Sequence, residues 1–194
     1  KVSLRQGLAT GDNDIFLRLW HEVAFTKFCL SVEDWQTAKS SGKKWFPHNK
    51  GGGYRKWYGN NEWVIAFDQK NRDLLKDLGN HLPSEAFYFR PCISWSLISG
   101  KSPAFRYVPT GSIIGHKGPG LFGDENELQA SISLLNSHVA VELLKVLSPT
   151  LSFEVGQVAK LPTVDISTNS EALIELAKSD WNEAEVSWDF SGLK

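Results

Sequence analysis

The residues best equipped for chemistry lie together in residues 43–60, which read KKWFPHNKGGGYRKWYGN. Lysine and arginine side chains bind phosphates, and consecutive glycine amides approach an anion closely. Large aromatic side chains stack on bases, while histidine and asparagine hydrogen-bond to base edges. The stacking candidates are Trp45, Tyr54, Trp57 and Tyr58, and the base-edge candidates are His48, Asn49 and Asn60. This combination is typical of a contact with nucleic acid.

A structural interpretation of the same segment stays open. Tryptophan is more often packed in a core than exposed to a ligand, so Trp45 and Trp57 equally fit a loop whose rings cover the core while its lysines face water. A weaker second candidate is the group Lys101, Arg106 and Tyr107, beside three serines. The serines are Ser94, Ser96 and Ser99. Because they alternate with apolar residues, they also fit the water-facing side of a strand.

Motifs of a complete enzyme are missing from the sequence. Residues 118–123 read GPGLFG and match a dinucleotide-binding pattern, but Pro119 and the position of Glu142 inside a helix favour an ordinary glycine-rich loop. Asp68 and Lys70 supply only part of a magnesium-dependent nuclease site. No two prolines are adjacent, which excludes an N-P-P-Y loop, and the five histidines lack metal-ligand spacing. We therefore predict no catalytic residue and no metal ligand.

The charges of the chain are segregated, although the net charge is only −1. Residues 35–61 contain six basic residues and no acidic one, and residues 86–123 are also free of acid. Residues 165–194, by contrast, hold seven acidic and two basic residues. Salt screens charges over about 8 Å at physiological ionic strength, so a basic surface attracts a polyanion in spite of a distant acidic segment.

Composition predicts one globular domain covering residues 1–194, with 41% hydrophobic residues in the chain. The two cysteines are too few for a disulfide framework, which predicts reduced thiols and a cytoplasmic location. No apolar run approaches the roughly 20 residues that span a bilayer, so we expect no membrane partner. Because the chain starts at Lys1 and contains no methionine, we expect it to be part of a longer protein.

Alternating apolar residues predict several strands. The predicted strands are residues 15–23, 62–68, 87–98, 104–108 and 112–114. In the second of these, Trp63, Ile65 and Phe67 share one face, and Val64 and Ala66 lie on the other. Glycine and proline between the last three strands indicate turns, so we expect an antiparallel meander there.

Helical spacing of apolar residues predicts four helices. They cover residues 31–40, 71–82, 124–148 and 170–186. Ser31 with Asp34, and Asp124 with Glu127, have the spacing of N-terminal caps. Strands in runs with a few packed helices predict an α+β fold with a mixed or antiparallel, β-rich sheet arrangement.

Five blocks of the sequence carry a family resemblance. They read GLATGDNDIFLRLWHEV, KKWFPHNKGGGYRKWYGN, ISWSLISG with FRYVP, SLLNSHVAVELLKVLSPTLSFEVGQVAKLP, and AKSDWNEAEVSWDF. In this order they resemble the region after the catalytic domain in PglX-type adenine-specific DNA methyltransferases of the BREX phage-defence system, which are similar to type II restriction-modification methyltransferases. The resemblance extends from Gly7 to Phe190, and His48 stands where the family has a tyrosine.

The resemblance implies a target recognition domain that binds duplex DNA and positions an adenine for a catalytic domain. In the parent enzyme, the methyl group of S-adenosylmethionine would go to N6 of an extruded adenine, and this chain itself would hold no cofactor. The implied partners are duplex DNA, the catalytic domain of a bacterial cytoplasmic methyltransferase, and other defence-system proteins. Phosphate contacts are then assigned to Lys43, Lys44, Lys50, Arg55 and Lys56, stacking to Tyr54 and Trp57, and base-edge contacts to His48, Asn49, Asn60, Lys101 and Arg106.

Two other functions compete with this interpretation. The first is a protein–protein interaction module of the same defence complex without direct DNA contact, which predicts no salt-sensitive DNA binding. The second is a carbohydrate-binding β-domain, suggested by the eight tryptophans. The reduced cysteines and the family resemblance disfavour the second.

Overall fold

The computed structural model describes residues 1–100, 102–162 and 170–190. Its strands are β1 (Ser3–Arg5), β2 (Leu17–Leu19), β3 (Trp45–Asn49), β4 (Trp63–Ala66), β5 (Cys92–Trp95), β6 (Phe105–Val108), β7 (Ile113–Ile114) and β8 (Gly120–Phe122). Its helices are α1 (Asn13–Phe16), α2 (Trp35–Ser40), α3 (Gln69–Asp77), α4 (Glu125–Leu135), α5 (His138–Leu147), α6 (Val155–Val158) and α7 (Ser170–Asn182). Short 3₁₀ helices cover Trp20–Glu22, Phe25–Lys27 and Glu85–Phe87. The predicted α+β class is confirmed.

The described strands form two four-stranded sheets. The first has the order β1-β8-β5-β6 with antiparallel neighbours, and the second has the order β2-β4-β3-β7. In the second sheet, β3 pairs antiparallel with β4 and parallel with β7. The turn 115–119 then carries the chain from β7 to β8 in the other sheet. It passes so close to the end of β3 that a Cβ on Gly118 would lie 2.5 Å from the main-chain oxygen of Asn49.

The expected meander holds only for its first pair of strands. Strands β5 and β6 are antiparallel neighbours, but β7 leaves for the second sheet, where it runs parallel to β3. The prediction of a glycine-rich loop at residues 118–123 is also wrong, because this stretch contains β8, which is hydrogen-bonded to both β1 and β5. Gly120 therefore belongs to a strand inside a sheet, whereas Gly118 lies in the turn before that strand and Gly123 directly after it.

Within residues 1–100, 102–162 and 170–190, buried apolar side chains form two large clusters and a small one. The first large cluster includes Phe46 and Phe67 of the second-sheet region, and the second includes Trp95 of β5 together with side chains of α4 and α5. Cys92 lies in the first cluster as a free thiol whose pKa burial raises to about 12, and Cys29 is half-buried and also free.

Strand β4 confirms the predicted alternation of its side chains. Ile65 packs in the first cluster together with Phe67, whereas Val64 and Ala66 pack in the small cluster with Trp45. Both faces of β4 are therefore covered by packed side chains, while β2 and β3 pair with its two edges.

The helix expected over residues 124–148 is two helices. The predicted capping box of Asp124 and Glu127 is present at the start of α4. The chain then breaks after Leu135, and α5 begins with Ser137 as its N-cap. The two helices meet at a bend of 74°.

The side chain of Asn136 occupies this break. Its Nδ2 donates to the main-chain oxygen of Phe105 at 2.9 Å, and its Oδ1 accepts from the Phe105 amide at 3.1 Å. These bonds tie the bend to strand β6. As a result Val139 and Leu143, which a continuous helix would direct to the core, are exposed.

Aspartate side chains set the start of three other helices. Asp12 caps α1, which replaces the first part of the strand expected over residues 15–23 and leaves only β2. Asp34 accepts from the amide of Thr37, so α2 begins after Asp34 and not at Ser31. Asp68 caps α3, which begins at Gln69, two residues before the predicted start. In each case the N-cap is an aspartate with an extended backbone whose side chain accepts from an amide of the first helical turn.

Within the described residues, no single helix is both long and apolar enough to cross a membrane. Helices α4 and α5 reach the necessary length and composition only as a bent pair.

Candidate nucleic-acid interface

The predicted contact segment divides at β3 into a buried strand and a loop. Every residue of β3 is buried. Residues 50–62, here called the β3–β4 loop, then reach across to the first sheet. There the Trp57 amide donates to the Phe105 oxygen at 2.9 Å, and the Tyr107 amide donates to the Trp57 oxygen at 2.8 Å. The loop is therefore fixed along strand β6.

Asn49 lies inside the protein, which corrects its prediction as a reader of base edges. It is 6% exposed, and its Nδ2 donates to Ser94 Oγ and, at 3.3 Å, to the oxygen of Gly118. Ser94 and Ser96 are themselves buried, so these serines are not the water-facing side of a strand. The Asn49 amide joins β3 to β5 and to the turn before β8.

His48 is also withdrawn from solvent, with 4% of its surface exposed. Burial lowers the pKa of His48 to about 4; a hydrogen bond with the main chain of Ile113 opposes this change, and the charge of Lys50 adds to it. Its Nδ1 has no hydrogen-bond partner among the described residues. His48 is thus a neutral core histidine at pH 7, and its assignment to a base edge is corrected.

Arg55 and Lys56 are already engaged within the protein. Arg55 Nη1 lies 2.8 Å from Asp180 Oδ2, and its guanidinium carbon lies 5.0 Å from the ring centroid of Trp181 on α7. Lys56 Nζ donates to the Asn136 oxygen at 2.8 Å, at the C-terminus of α4, where the helix dipole favours a cation. Two cations assigned to phosphates therefore have internal partners.

Arg106 is buried beneath the β3–β4 loop, with 1% of its surface exposed. Its Nη1 donates to the oxygens of Arg55 and Ala104, each at 3.3 Å, and its Nη2 lies 3.3 Å from Ser96 Oγ. Burial lowers the pKa of Arg106 to about 10, so the side chain is still a cation at pH 7. This position corrects the assignment of Arg106 to a base edge.

Among the aromatic candidates, Tyr58 is buried and Trp57 half-buried. Burial raises the pKa of Tyr58 to about 12, and the charge of Asp189 adds to this effect. Trp57 has a left-handed backbone, with φ of 71°, and packs against the second cluster. With Trp45 also buried, the packing interpretation describes these three rings.

The exposed part of the segment is Gly52–Tyr54, here called the tip. Tyr54 is 51% exposed, and both glycines are exposed. Two side chains hold the tip: Ser96 Oγ donates to the Gly52 oxygen at 2.7 Å, and Asn60 Nδ2 donates to the Gly53 oxygen at 2.8 Å. The side-chain amide of Asn60, which was assigned to a base edge from the sequence, therefore supports the loop.

Lysines from two loops accompany the tip. Lys50 precedes it, with Nζ 3.6 Å from the ring centroid of Trp63; burial lowers the pKa of Lys50, and the charge of Asp14 opposes this change. Lys117, from the turn 115–119, is exposed. Its main chain passes so close to Gly51, which has a φ of 84°, that a Cβ there would lie 2.7 Å from the Lys117 oxygen.

Lys43 and Lys44 lie at the other end of β3 from the tip. Lys43 Nζ donates to the Thr26 oxygen at 2.6 Å, and Lys44 Nζ lies 4.9 Å from the ring centroid of Trp45. An extended strand advances about 3.3 Å per residue, which separates Lys44 from Lys50 by roughly 20 Å. The basic residues expected to contact phosphates together therefore lie in two groups at opposite ends of β3. Lys101, which was assigned to a base edge, lies outside the described residues.

Sequence reasoning missed two residues of this region. Lys117 had a signal, because it lies in the second acid-free stretch, but nothing in the sequence places it beside Gly51. Asp180 had no signal, since its bond to Arg55 joins residues 125 positions apart. Ser96 was named beside the weaker second candidate, but its bond to Gly52, 44 positions away, was not predicted.

The chain is similar along nearly its whole length to two methyltransferases. It is 36% identical over 203 aligned positions to the adenine-specific methyltransferase PglX of Lacticaseibacillus casei (strain Zhang), which covers 98% of this chain and 17% of that protein. It is 33% identical over 193 positions to the adenine-specific methyltransferase BrxX of Escherichia coli O9:H4 (strain HS), covering 96% of this chain and 15% of that protein. The chain thus spans less than a fifth of the length of these relatives. No protein-family model matches it.

The pKa of His48 generates a prediction about stability. Between pH 6.5 and about 4 the unfolded chain protonates His48 while the folded chain does not, so the free energy of unfolding falls as the pH falls through this range. The gap between these pKa values corresponds to at most about 3 kcal/mol. We expect His48→Gln to flatten the pH dependence of urea unfolding between pH 6.5 and 4. The control, His21→Gln at an exposed histidine, should retain the wild-type slope, and an unchanged slope in His48→Gln would contradict the assignment.

Proposed function

We propose that this chain, which matches a segment of PglX-type adenine-specific methyltransferases along nearly its whole length, binds duplex DNA for such an enzyme. The similarity supports an association with methyltransferases. The observation that carries the DNA contact is the tip, where an exposed tyrosine and two exposed glycines lie with Lys50 of the same loop and Lys117 of the neighbouring turn. An exposed aromatic ring beside cations is suited to a nucleic-acid strand.

The roles of the side chains follow from their exposure and from their positions beside the tip: Tyr54 and Lys117 are exposed, and Lys50 is half-buried against Trp63. We assign phosphate contacts to Lys50 and Lys117 and a stacking or groove contact to Tyr54. The exposed Gly52 and Gly53 allow the DNA backbone to approach the main chain of the tip. Lys43 and Lys44, at the other end of β3, provide a second place for phosphates along a duplex.

The chemistry of methyl transfer belongs to a catalytic domain outside this chain. In that domain S-adenosylmethionine would supply the methyl group, and the acceptor would be N6 of an adenine extruded from the duplex. The chain's contribution is to hold the duplex in a fixed register, because contacts to the DNA backbone set position before a base is read.

The alternative function, a protein–protein interaction module, assigns the tip to a contact with another protein and not with DNA. It would bury Tyr54 and the two lysines against another protein, and it predicts no salt-sensitive DNA binding. The two proposals are therefore separated by one titration with DNA.

The first experiment measures how DNA binding depends on salt. We expect the double variant Lys50→Ala/Lys117→Ala to bind a mixed-sequence duplex more weakly and to reduce the slope of log affinity against log salt by about 2, since each phosphate contact contributes about 0.9. Fluorescence anisotropy at several salt concentrations measures both quantities.

The matched control is Lys39→Ala/Lys76→Ala, which removes the same charge from exposed positions of α2 and α3. Its slope should equal that of the wild type. Equal slopes for both double variants would contradict the assignment of the tip, and an absence of wild-type binding to duplex DNA would contradict the proposed function.

The ion pair of Arg55 with Asp180 leads to a second experiment. The pair is partly solvated, with side-chain exposures of 33% and 69%, so it is weak and a phosphate can compete for the guanidinium. We expect Asp180→Asn to bind DNA about threefold more tightly. The free energy of a threefold change in affinity lies below the roughly 1 kcal/mol that an exposed ion pair contributes at most.

Glu183→Gln removes the same charge from an exposed residue one turn further along the chain and serves as the control. A gain of equal size in both variants would show a general charge effect and contradict competition at Arg55. The gain from Asp180→Asn should also vanish when Arg55 is replaced by alanine, which completes a double-mutant cycle.

A further inference from the structure

The tip is attached at both ends to one buried cation. Arg106 donates to the main-chain oxygen of Arg55, which directly follows the tip. Its other terminal nitrogen contacts Ser96 Oγ, and the same hydroxyl donates to the oxygen of Gly52, the first residue of the tip. Gly53 and Tyr54 lie between these two points of attachment.

We propose that Arg106 is a positioning residue that holds the tip in the conformation that meets DNA, without touching DNA itself. The proposal rests on the proposed function for its consequence in binding. Its structural part, the order of the tip, is independent of that function.

The energetic cost of burying Arg106 favours a role in positioning the tip over a role in stabilising the fold. Taking a guanidinium out of water is costly, and within the described residues no carboxylate pairs with Arg106 to offset that cost. An apolar side chain of similar volume would fill the same space without this penalty. What arginine adds is a planar fork of donors that reaches several oxygens in fixed directions.

The backbone of the loop explains why such donors are needed. Gly51 and Gly52 have φ values of 84° and 135°, and Trp57 and Asn60 adopt left-handed conformations with φ of 71° and 61°. Non-glycine residues in this region are strained, so the loop keeps its shape only where the surrounding structure holds it. Arg106, Ser96 and Asn60 supply the side-chain hydrogen bonds that do so.

The burial of Arg106 distinguishes this role from direct contact. With 1% of its surface exposed, the guanidinium would have to leave its three oxygen partners before it reached a phosphate or a base edge. A residue that acts through the tip changes the order of Gly53 and Tyr54. A residue that contacts DNA directly lowers affinity while the free tip stays ordered.

The experiment compares Arg106→Lys with wild type by NMR relaxation and by DNA binding. Lysine keeps the charge but loses the fork. We expect the backbone order parameters of Gly53 and Tyr54 to fall from about 0.85 to below about 0.6 in the free protein. Affinity for a mixed-sequence duplex should fall about tenfold, because the tip must then be ordered on binding.

Two further variants make the result decisive. Ser96→Ala removes the hydroxyl that links Arg106 to Gly52 and leaves the bonds of Arg106 to the Arg55 and Ala104 oxygens. It should lower the same order parameters with about a threefold loss of affinity. This variant tests whether the hydrogen bonds order the tip even if Arg106→Lys fails to fold. Arg72→Lys is the matched control, since Arg72 is a largely buried arginine on α3 that lies over Trp35 and is paired with Glu85, both of which are outside the β3–β4 loop. It should leave the tip ordered and the affinity unchanged.

Each outcome bears on one proposal. Order parameters of Gly53 and Tyr54 that remain at the wild-type value in Arg106→Lys and Ser96→Ala would overturn the positioning role. Reduced affinity with an ordered tip would indicate direct contact and would also overturn it. A disordered tip in both variants, with no DNA binding by the wild type, would support the positioning of the tip and contradict the proposed function.

Discussion

Strand β3 is hydrogen-bonded on both edges, to β4 and to β7, and the location of the candidate interface follows from this pairing. A strand paired on both sides and buried on both faces offers no side chain to a ligand. The residues from Trp45 to Asn49 are therefore internal, and the chain emerges only after them. The parallel pairing with β7 also brings the turn 115–119, with Lys117, to the place where the β3–β4 loop begins. The pairing of β3 thus buries residues 45–49 of the basic aromatic segment and brings Lys117 to the loop that follows them.

The electrostatics of the segment are largely internal. Arg55 is paired with Asp180, Lys56 contacts the end of α4, and Arg106 is buried. The acid-rich C-terminal part of the chain packs next to the loop, since the charge of Asp189 acts on Tyr58. The basic and acidic parts of the chain therefore meet at the Arg55–Asp180 pair, and the lysines that remain beside the tip are Lys50 and Lys117. Duplex DNA would meet a small, shaped contact there and not a broad basic surface.

The sequence predicted the structural features that depend on interactions between residues close together in the chain. The capping box of Asp124 and Glu127 and the alternation of β4 depend on residues a few positions apart, and both are confirmed. The bend at Asn136 depends on hydrogen bonds to Phe105, 31 positions away. Because the apolar spacing continues on both sides of the bend, it predicted a single helix over residues 124–148. The sequence located the loop by its composition. It did not reveal which cations are exposed, because the partners of Arg55 and Lys56 are 125 and 80 positions distant.

The most direct test of the account is to map the DNA-binding surface by NMR chemical shifts while a duplex is added to the ¹⁵N-labelled chain. The account predicts that the largest changes occur at Gly52–Tyr54 and at Lys117, with smaller changes along β6. Saturable changes confined to other surfaces, such as the exposed side of α5, with the tip unaffected, would contradict it.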